Sequence, residues 1–256
     1  MSKPTIVACA GAWHSPAIYD KVFSVLQSHG YETIGQALPS AGSDPPISSF
    51  DPDVEAIRKT LTKLIVDEGK DAVLVVHSFS GMTGSEAPVG LGKKERSEKG
   101  LKGGVVRMVF FAAFVPVEGF NPVAVMQQYP PWMHVDEEKG VITLVPEEVT
   151  PLFYNDLPPD EAAEWASRLV PQSLGPYSST TTYAAWRYIP STFVIPKDDQ
   201  SVPNPEAFME MFIQAARAVE PSALDVVEKI PGGHCAMISQ PQEVADVFRR
   251  AAGEAL

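Results

Sequence analysis

The chain has 256 residues, 45% hydrophobic and 20% charged, with a formal net charge of −12, a composition that suits a globular protein with a substantial core. The acidic balance argues against nucleic acid and anionic membrane as partners. No apolar run approaches the roughly 20 residues that cross a bilayer, no signal peptide is evident, and two cysteines suit a reducing compartment, so a cytoplasmic protein is expected.

Residues 5–10 read as a buried strand, and Ser15-Pro16 then opens a helix with Ile18, Val22, Val25 and Leu26 at helical spacing. A second strand covers 32–37, and a polar, proline-rich loop follows to Pro52. Residues 53–67 carry Val54, Ile57, Leu61, Leu64 and Ile65 on one helical face. Val73 to Val76 form a short strand buried on both faces, as in a parallel sheet, and it ends abruptly in His77-Ser78-Phe79-Ser80-Gly81. The stretch 91–104 is charged and glycine-flanked, without apolar period, and reads as a surface loop; 105–111 is another buried strand.

From 116 to 190 the strand–helix alternation lapses. Residues 132–145 predict a hairpin turning near 138–140, and 146–154 and 158–169 predict helices. Three of the four tryptophans lie here (Trp132, Trp165 and Trp186), which suits an aromatic lid over an apolar pocket. The alternation resumes with a strand at 191–195, a helix at 205–218, a strand at 223–230, a turn at 231–234 and a closing helix at 241–252. The expected fold class is α/β: an open, mostly parallel six-stranded sheet with helices on both faces. Residues 1–115 and 191–256 make the core, and 116–190 the inserted lid.

A strand turning sharply into a helix leaves the residue at its tip exposed and strained, and Ser78 stands there. The usual elbow reads Gly-x-Ser-x-Gly; here the flanking positions are Val76 and Ser80, and Ser80 reads as the small residue that lets the turn close. A serine needs a base, and the base a carboxylate to fix its tautomer. His234, in a glycine-rich turn after the last strand, has the exposure a base requires, whereas His77 reads as packing. Asp198 and Asp199 both follow the strand at 191–195; Asp199 is preferred because Pro203 stands four residues on. The order Ser78, Asp199, His234 is the one expected of an elbow serine completed by later loops. Backbone N–H groups of Phe79 and Ala12 are the candidate oxyanion hole, with Gly11 allowing close approach, and Trp13, His14, Trp132 and Trp186 are the candidate pocket residues.

These residues resemble the α/β-hydrolase superfamily, in particular its small branch of methyl esterases and hydroxynitrile lyases. Ala10-Gly11-Ala12-Trp13-His14 is similar to that branch's opening motif, Asp198-Asp199-Gln200-Ser201-Val202-Pro203 to its acid motif, and Gly233-His234-Cys235-Ala236 to its histidine motif. Phe153-Tyr154-Asn155-Asp156 resembles part of its lid. Where the lyases carry lysine after the histidine and threonine in the first loop, this chain has Cys235 and Gly11, which argues against cyanohydrin cleavage. The resemblance implies a cofactor-independent, metal-free serine hydrolase, acting through an acyl-enzyme on a small-molecule ester or acyl thioester, as a monomer or homodimer. A sharper expectation is release of a carrier-bound acyl chain, by hydrolysis or lactone formation, in secondary metabolism. The rivals are a cofactor-free lyase or oxygenase that uses His234 alone as base, and a non-catalytic ligand receptor.

Overall fold

A computed structural model describes residues 2–126 and 128–256. Strand β1 (Thr5–Cys9) leads through a 3₁₀ turn at Pro16–Tyr19 into helix α1 (Asp20–Ser28), and β2 (Thr33–Gln36) is followed by α2 (Asp51–Thr62), which widens into a π turn at Lys63–Asp67. Next come β3 (Asp71–His77), α3 (Ser80–Glu86), α4 (Lys93–Glu98) and β4 (Gly104–Phe111). The inserted stretch holds α5 (Pro122–Met126), β5 (His134–Asp136), β6 (Val141–Thr143), α6 (Pro146–Phe153), α7 (Pro159–Ser167) and β7 (Gln172–Ser173). The chain closes with β8 (Ser191–Pro196), α8 (Pro205–Val219), β9 (Val226–Ile230), α9 (Ala236–Ser239) and α10 (Pro241–Ala251).

Six strands form one parallel sheet in the order β2-β1-β3-β4-β8-β9. Its inner strands are apolar and buried along nearly their whole length, because helices cover both of their faces. The edge strand β9 alternates instead, with Glu228 and Lys229 near its end. From β1 the chain steps one way to β2 and then back across to β3 and beyond. Right-handed crossovers therefore put α1 on one face and α2 and α3 on the other. Helix α10 joins α1, burying Val244, Val247, Phe248 and Ala251. The loops after β1 and β3 diverge at this reversal, which is where open sheets of this kind place their sites.

The expected hairpin is present: β5 and β6 pair antiparallel, His134 opposite Thr143, with Gly140 at φ +67 in the turn. β7 extends it to a second, three-stranded sheet. Trp186 Nε1–H donates to the Pro116 carbonyl at 2.8 Å, so the two ends of the inserted stretch are tied together. The stretch 91–104 departs from the loop expectation, because α4 forms inside it. Its cohesion comes from the buried Arg96, whose Nε and Nη2 donate to the carbonyls of Gly103 and Lys102 at 3.0 and 2.8 Å. Among the described residues, no helix is long and apolar enough to cross a membrane.

Candidate active site

The β3–α3 connection has the geometry of a strained elbow. Ser78 sits at φ +54, a left-handed backbone that costs a residue with a side chain about 1–3 kcal/mol. Its carbonyl accepts the N–H groups of Gly81 and Phe114, each at 3.1 Å. Ser80 closes the turn with its hydroxyl: Oγ accepts His77 N–H at 2.8 Å and donates back to the His77 carbonyl at 2.9 Å. Gly81 is required, since a Cβ there would lie 2.0 Å from the Phe114 carbonyl oxygen. The glycine missing from position 76 is found one layer away. A Cβ on Gly84 would stand 2.2 Å from Val76 Cγ1, so the valine's volume is taken up by the helix that follows the elbow.

His234 follows the Gly232-Gly233 turn after β9. Its Nδ1–H donates to Asp199 Oδ2 at 2.9 Å, which fixes the tautomer and leaves Nε2 as the free basic nitrogen. Asp199 is 1% exposed. Burial alone raises its carboxyl pKa, but His234 and the hydrogen bonds from His234 and Ser201 outweigh that and hold it below the ordinary value. Ser201 N–H is 2.7 Å from Asp199 Oδ1. The neighbouring Asp198 turns elsewhere, its Oδ2 accepting Gly232 N–H at 3.0 Å. His77 is fully buried with Nε2 3.0 Å from the His234 carbonyl; since a carbonyl only accepts, Nε2 carries the proton. Its ring stands 4.7 Å from that of His234, and Phe153 stands 5.3 Å away. Ser78 Oγ forms no hydrogen bond to His234 in this arrangement; both residues line one cavity.

That cavity has an empty volume of about 690 Å³, open mouth included, and its walls are apolar. The core contributes Trp13, Ala112, Phe114, Phe208 and Met209, and the insertion contributes Pro130, Trp132, Met133, Phe153 and Tyr177; Ser201 adds a polar group beside Ser78 and His234. Three lining residues with side chains, Trp13, Ser78 and Ala112, have positive φ, which concentrates backbone strain at the strand ends around it. The N–H groups of Ala12 and Phe79, nominated as oxyanion donors, find no acceptor in the protein among the described residues. A side chain at Gly11 would be tightly packed: a Cβ would be 3.0 Å from Ser78 Cβ and 3.1 Å from His77 Nδ1, so these neighbours would have to give by a few tenths of an ångström.

Of the expected pocket residues, Trp13 and Trp132 line the cavity, with their rings 5.8 Å apart. His14 and Trp186 do not. His14 is turned inward, its Nδ1–H donating to the Ala12 carbonyl at 2.8 Å and its Nε2 accepting from the Tyr154 hydroxyl at 2.7 Å. Burial is the main reason its pKa falls to about 4, opposed by the Ala12 hydrogen bond and assisted by His234. Trp186 is spent on the Pro116 carbonyl.

The model of the alpha/beta hydrolase family matches residues 6–247. The chain belongs to that family. It is 35% identical over 259 residues to alpha/beta hydrolase nvfD of Aspergillus novofumigatus, covering 100% of this chain and 99% of that protein. It is 25% identical over 250 residues to a carbendazim hydrolyzing esterase of Nocardioides, covering 92% and 94%. The crystal structure of polyneuridine aldehyde esterase superposes with a TM-score of 0.74 at 22% identity, covering 98% of this chain and 99% of that one; at that identity the likeness bears on the fold. The α/β-hydrolase assignment and the six-stranded parallel sheet are thus as expected from the sequence.

Several residues around this site were not among those expected there, and Asp156 entered only through the lid resemblance. Gln172 Oε1 accepts Trp13 N–H at 3.3 Å, the Trp13 carbonyl accepts Val170 N–H at 3.0 Å, and the Trp13 indole donates to the Ile142 carbonyl at 3.1 Å. Three points of the insertion therefore grip the loop that presents Ala12. Asp156 holds the histidine turn through Gly233 N–H at 2.7 Å. Phe208 and Met209 reach the cavity from the start of α8. Their helix was legible, but which of its faces meets the cavity was not.

Proposed function

We propose that this protein is a serine esterase for an uncharged, bulky acyl ester or thioester, with the insertion as the lid over its acyl pocket. The observation that carries the reading is a strained serine sharing an apolar cavity with a histidine whose far nitrogen is bonded to a buried aspartate. In this reading His234 Nε2 takes the Ser78 proton as Oγ attacks the carbonyl carbon. Asp199 stabilises the imidazolium, and the Ala12 and Phe79 amides take the oxyanion. His234 then returns the proton to the departing alkoxide or thiolate, and the acyl-enzyme is hydrolysed by a water that His234 deprotonates. Among the described residues the cavity walls offer no cation, which favours an acyl group without a carboxylate near the reacting carbon. The relative named as a carbendazim hydrolyzing esterase supports ester chemistry on this scaffold.

Intact-mass analysis after exposure to p-nitrophenyl esters, acyl thioesters and a fluorophosphonate tests it. An adduct on Ser78, absent from Ser78→Ala, is the expected result, with turnover by Ser78→Ala at least about 10³-fold lower. The missing Ser78 Oγ–His234 hydrogen bond favours a second reading, in which His234 acts directly on substrate. That reading predicts no adduct and only a mild loss in Ser78→Ala.

A further inference from the structure

The peptide that carries His234 is held from three directions. Gly233 N–H donates to Asp156 Oδ2 at 2.7 Å, Cys235 N–H to the Phe153 carbonyl at 3.3 Å, and the His234 carbonyl accepts from His77 Nε2 at 3.0 Å. The N–H groups of both residues flanking His234 are thus anchored on residues 153–156, in the insertion. The same four residues reach the acid loop, where Asn155 Nδ2 donates to the Asp198 carbonyl at 2.9 Å.

The fit around Asp156 is close. A Cβ on Gly233 would lie 2.3 Å from Asn155 Oδ1 and 3.1 Å from Asp156 Oδ1, and one on Gly232 would lie 3.0 Å from Asp156 Oδ2. Only a side chain-free pair lets the carboxylate approach the turn this closely. Asp156 Oδ2 also accepts from Ser239 Oγ on α9, so one oxygen ties the turn before His234 to the helix after it. The other oxygen, Oδ1, is buried without a hydrogen-bond partner among the described residues. Withdrawing a carboxylate oxygen from water uncompensated is costly, and the two bonds on Oδ2 are what offset it.

We infer that Asp156 is a positioning residue for His234, setting the imidazole over Ser78 through the Gly233 amide, so that the base is aligned only while the insertion is seated on the core. This rests on the reading of His234 as the base. A general base displaced by about 1 Å loses on the order of 10²-fold in rate, which bounds the effect.

The test uses the full chain with Asp156→Ala and Asp156→Asn, the latter keeping an acceptor for Gly233 N–H. Turnover of a p-nitrophenyl ester is normalised to titrated active sites, and the low-field proton NMR resonance of His234 Nδ1–H is followed in parallel. The expected result for Asp156→Ala is a fall in kcat of about 10–100-fold at unchanged KM, with the resonance shifted or broadened. Asp156→Asn should return kcat to within about 5-fold of wild type and keep the resonance. A role confined to stability would lower Tm and the titratable fraction while leaving kcat per site and the resonance unchanged, and that overturns the inference. Should Asp156→Ala not fold, Asp156→Glu, with its longer arm, is measured in the same two ways: a lower kcat per site with a shifted resonance supports the inference, and no change in either overturns it. The resonance needs no substrate. Wild-type protein without ester turnover, whose resonance still responds to Asp156→Ala, would overturn the esterase reading and support the positioning role.

Discussion

Gly84→Ala tests how the elbow is packed. On an exposed helix this change gains about 1 kcal/mol of helix propensity. At position 84 the added methyl would stand 2.2 Å from Val76 Cγ1, far inside the roughly 3.5–4.0 Å of a comfortable carbon contact. Overpacking of this kind costs about 1–3 kcal/mol, and a clash between a strand side chain and a helix backbone position belongs at the upper end. The expected net loss is about 1–2 kcal/mol, a fall in Tm of roughly 2–8 °C for a chain of this size. Val76→Ala alone empties the facing space and loses about 2 kcal/mol through two buried methyl groups and the void they leave. In Val76→Ala/Gly84→Ala the new methyl enters that void. The two losses should then fail to add, with a favourable coupling of at least about 1 kcal/mol. Equilibrium urea denaturation of the four proteins measures this cycle. Additive losses, or a Gly84→Ala protein more stable than wild type, would refute the claim that Gly84 takes the place of the glycine expected at position 76.

Acid should destabilise the fold through His14. Its pKa of about 4, against an ordinary 6.5, means that the unfolded chain takes up a proton below pH 6.5 that the folded chain refuses. Stability is therefore full above about 6.5 and falls as the pH drops toward 4, by about 3 kcal/mol in all. His77, whose pKa is also lowered by burial and by its histidine neighbours, acts in the same direction. Urea midpoints between pH 7.5 and 4.5 should fall less steeply in His14→Phe than in wild type, and parallel curves would contradict the assignment. Asp199→Asn should lower kcat by about 10³–10⁴-fold by releasing the His234 tautomer, whereas Asp198→Asn, whose target carboxylate oxygen meets only Gly232 N–H, should stay within about 3-fold of wild type. Equal losses in steady-state assays of the two would dissolve the distinction between them.

What could be read in advance was whatever the chemistry or the packing demands of residue type. Strands buried on both faces must be continuous apolar runs, so β1, β3, β4 and β8 announced themselves. The strand-to-helix turn at Ser78 and the strand-end positions of Asp199 and His234 were legible too. The structure gives Ser78 a positive φ and bonds His234 Nδ1 to Asp199 Oδ2; their catalytic roles are those proposed above. What was hidden depends on direction or on backbone. His14 was placed in the pocket because it follows the first strand, but Trp13 at φ +63 turns the chain just before it, and His14 points inward to Ala12 and Tyr154 instead. Helix α4 has no apolar period because it is anchored by Arg96 to two carbonyls. Gly84 sits eight residues from the position it compensates, beyond the reach of a linear motif.

The supports of the site were the least legible part, since a backbone amide accepts any partner of suitable geometry. Yet they fall into a pattern. The Ala12–Trp13 loop is gripped by Ile142, Val170 and Gln172, the Asp198–Asp199 loop by Asn155, and the His234 turn by Phe153 and Asp156. All of these lie between residues 142 and 172. The serine turn is the exception, held by Phe111, Phe114, Cys9 and its own Ser80, all from the core. A segment that only covered a pocket would touch its rim, whereas this one is bonded to three of the four loops that carry site residues. On this arrangement the proposed nucleophile is held by the core alone, whereas the loops of its proposed partners are held by the insertion as well as by the core. Changes in residues 142–172 should therefore alter the rate of chemistry as readily as they alter the choice of substrate.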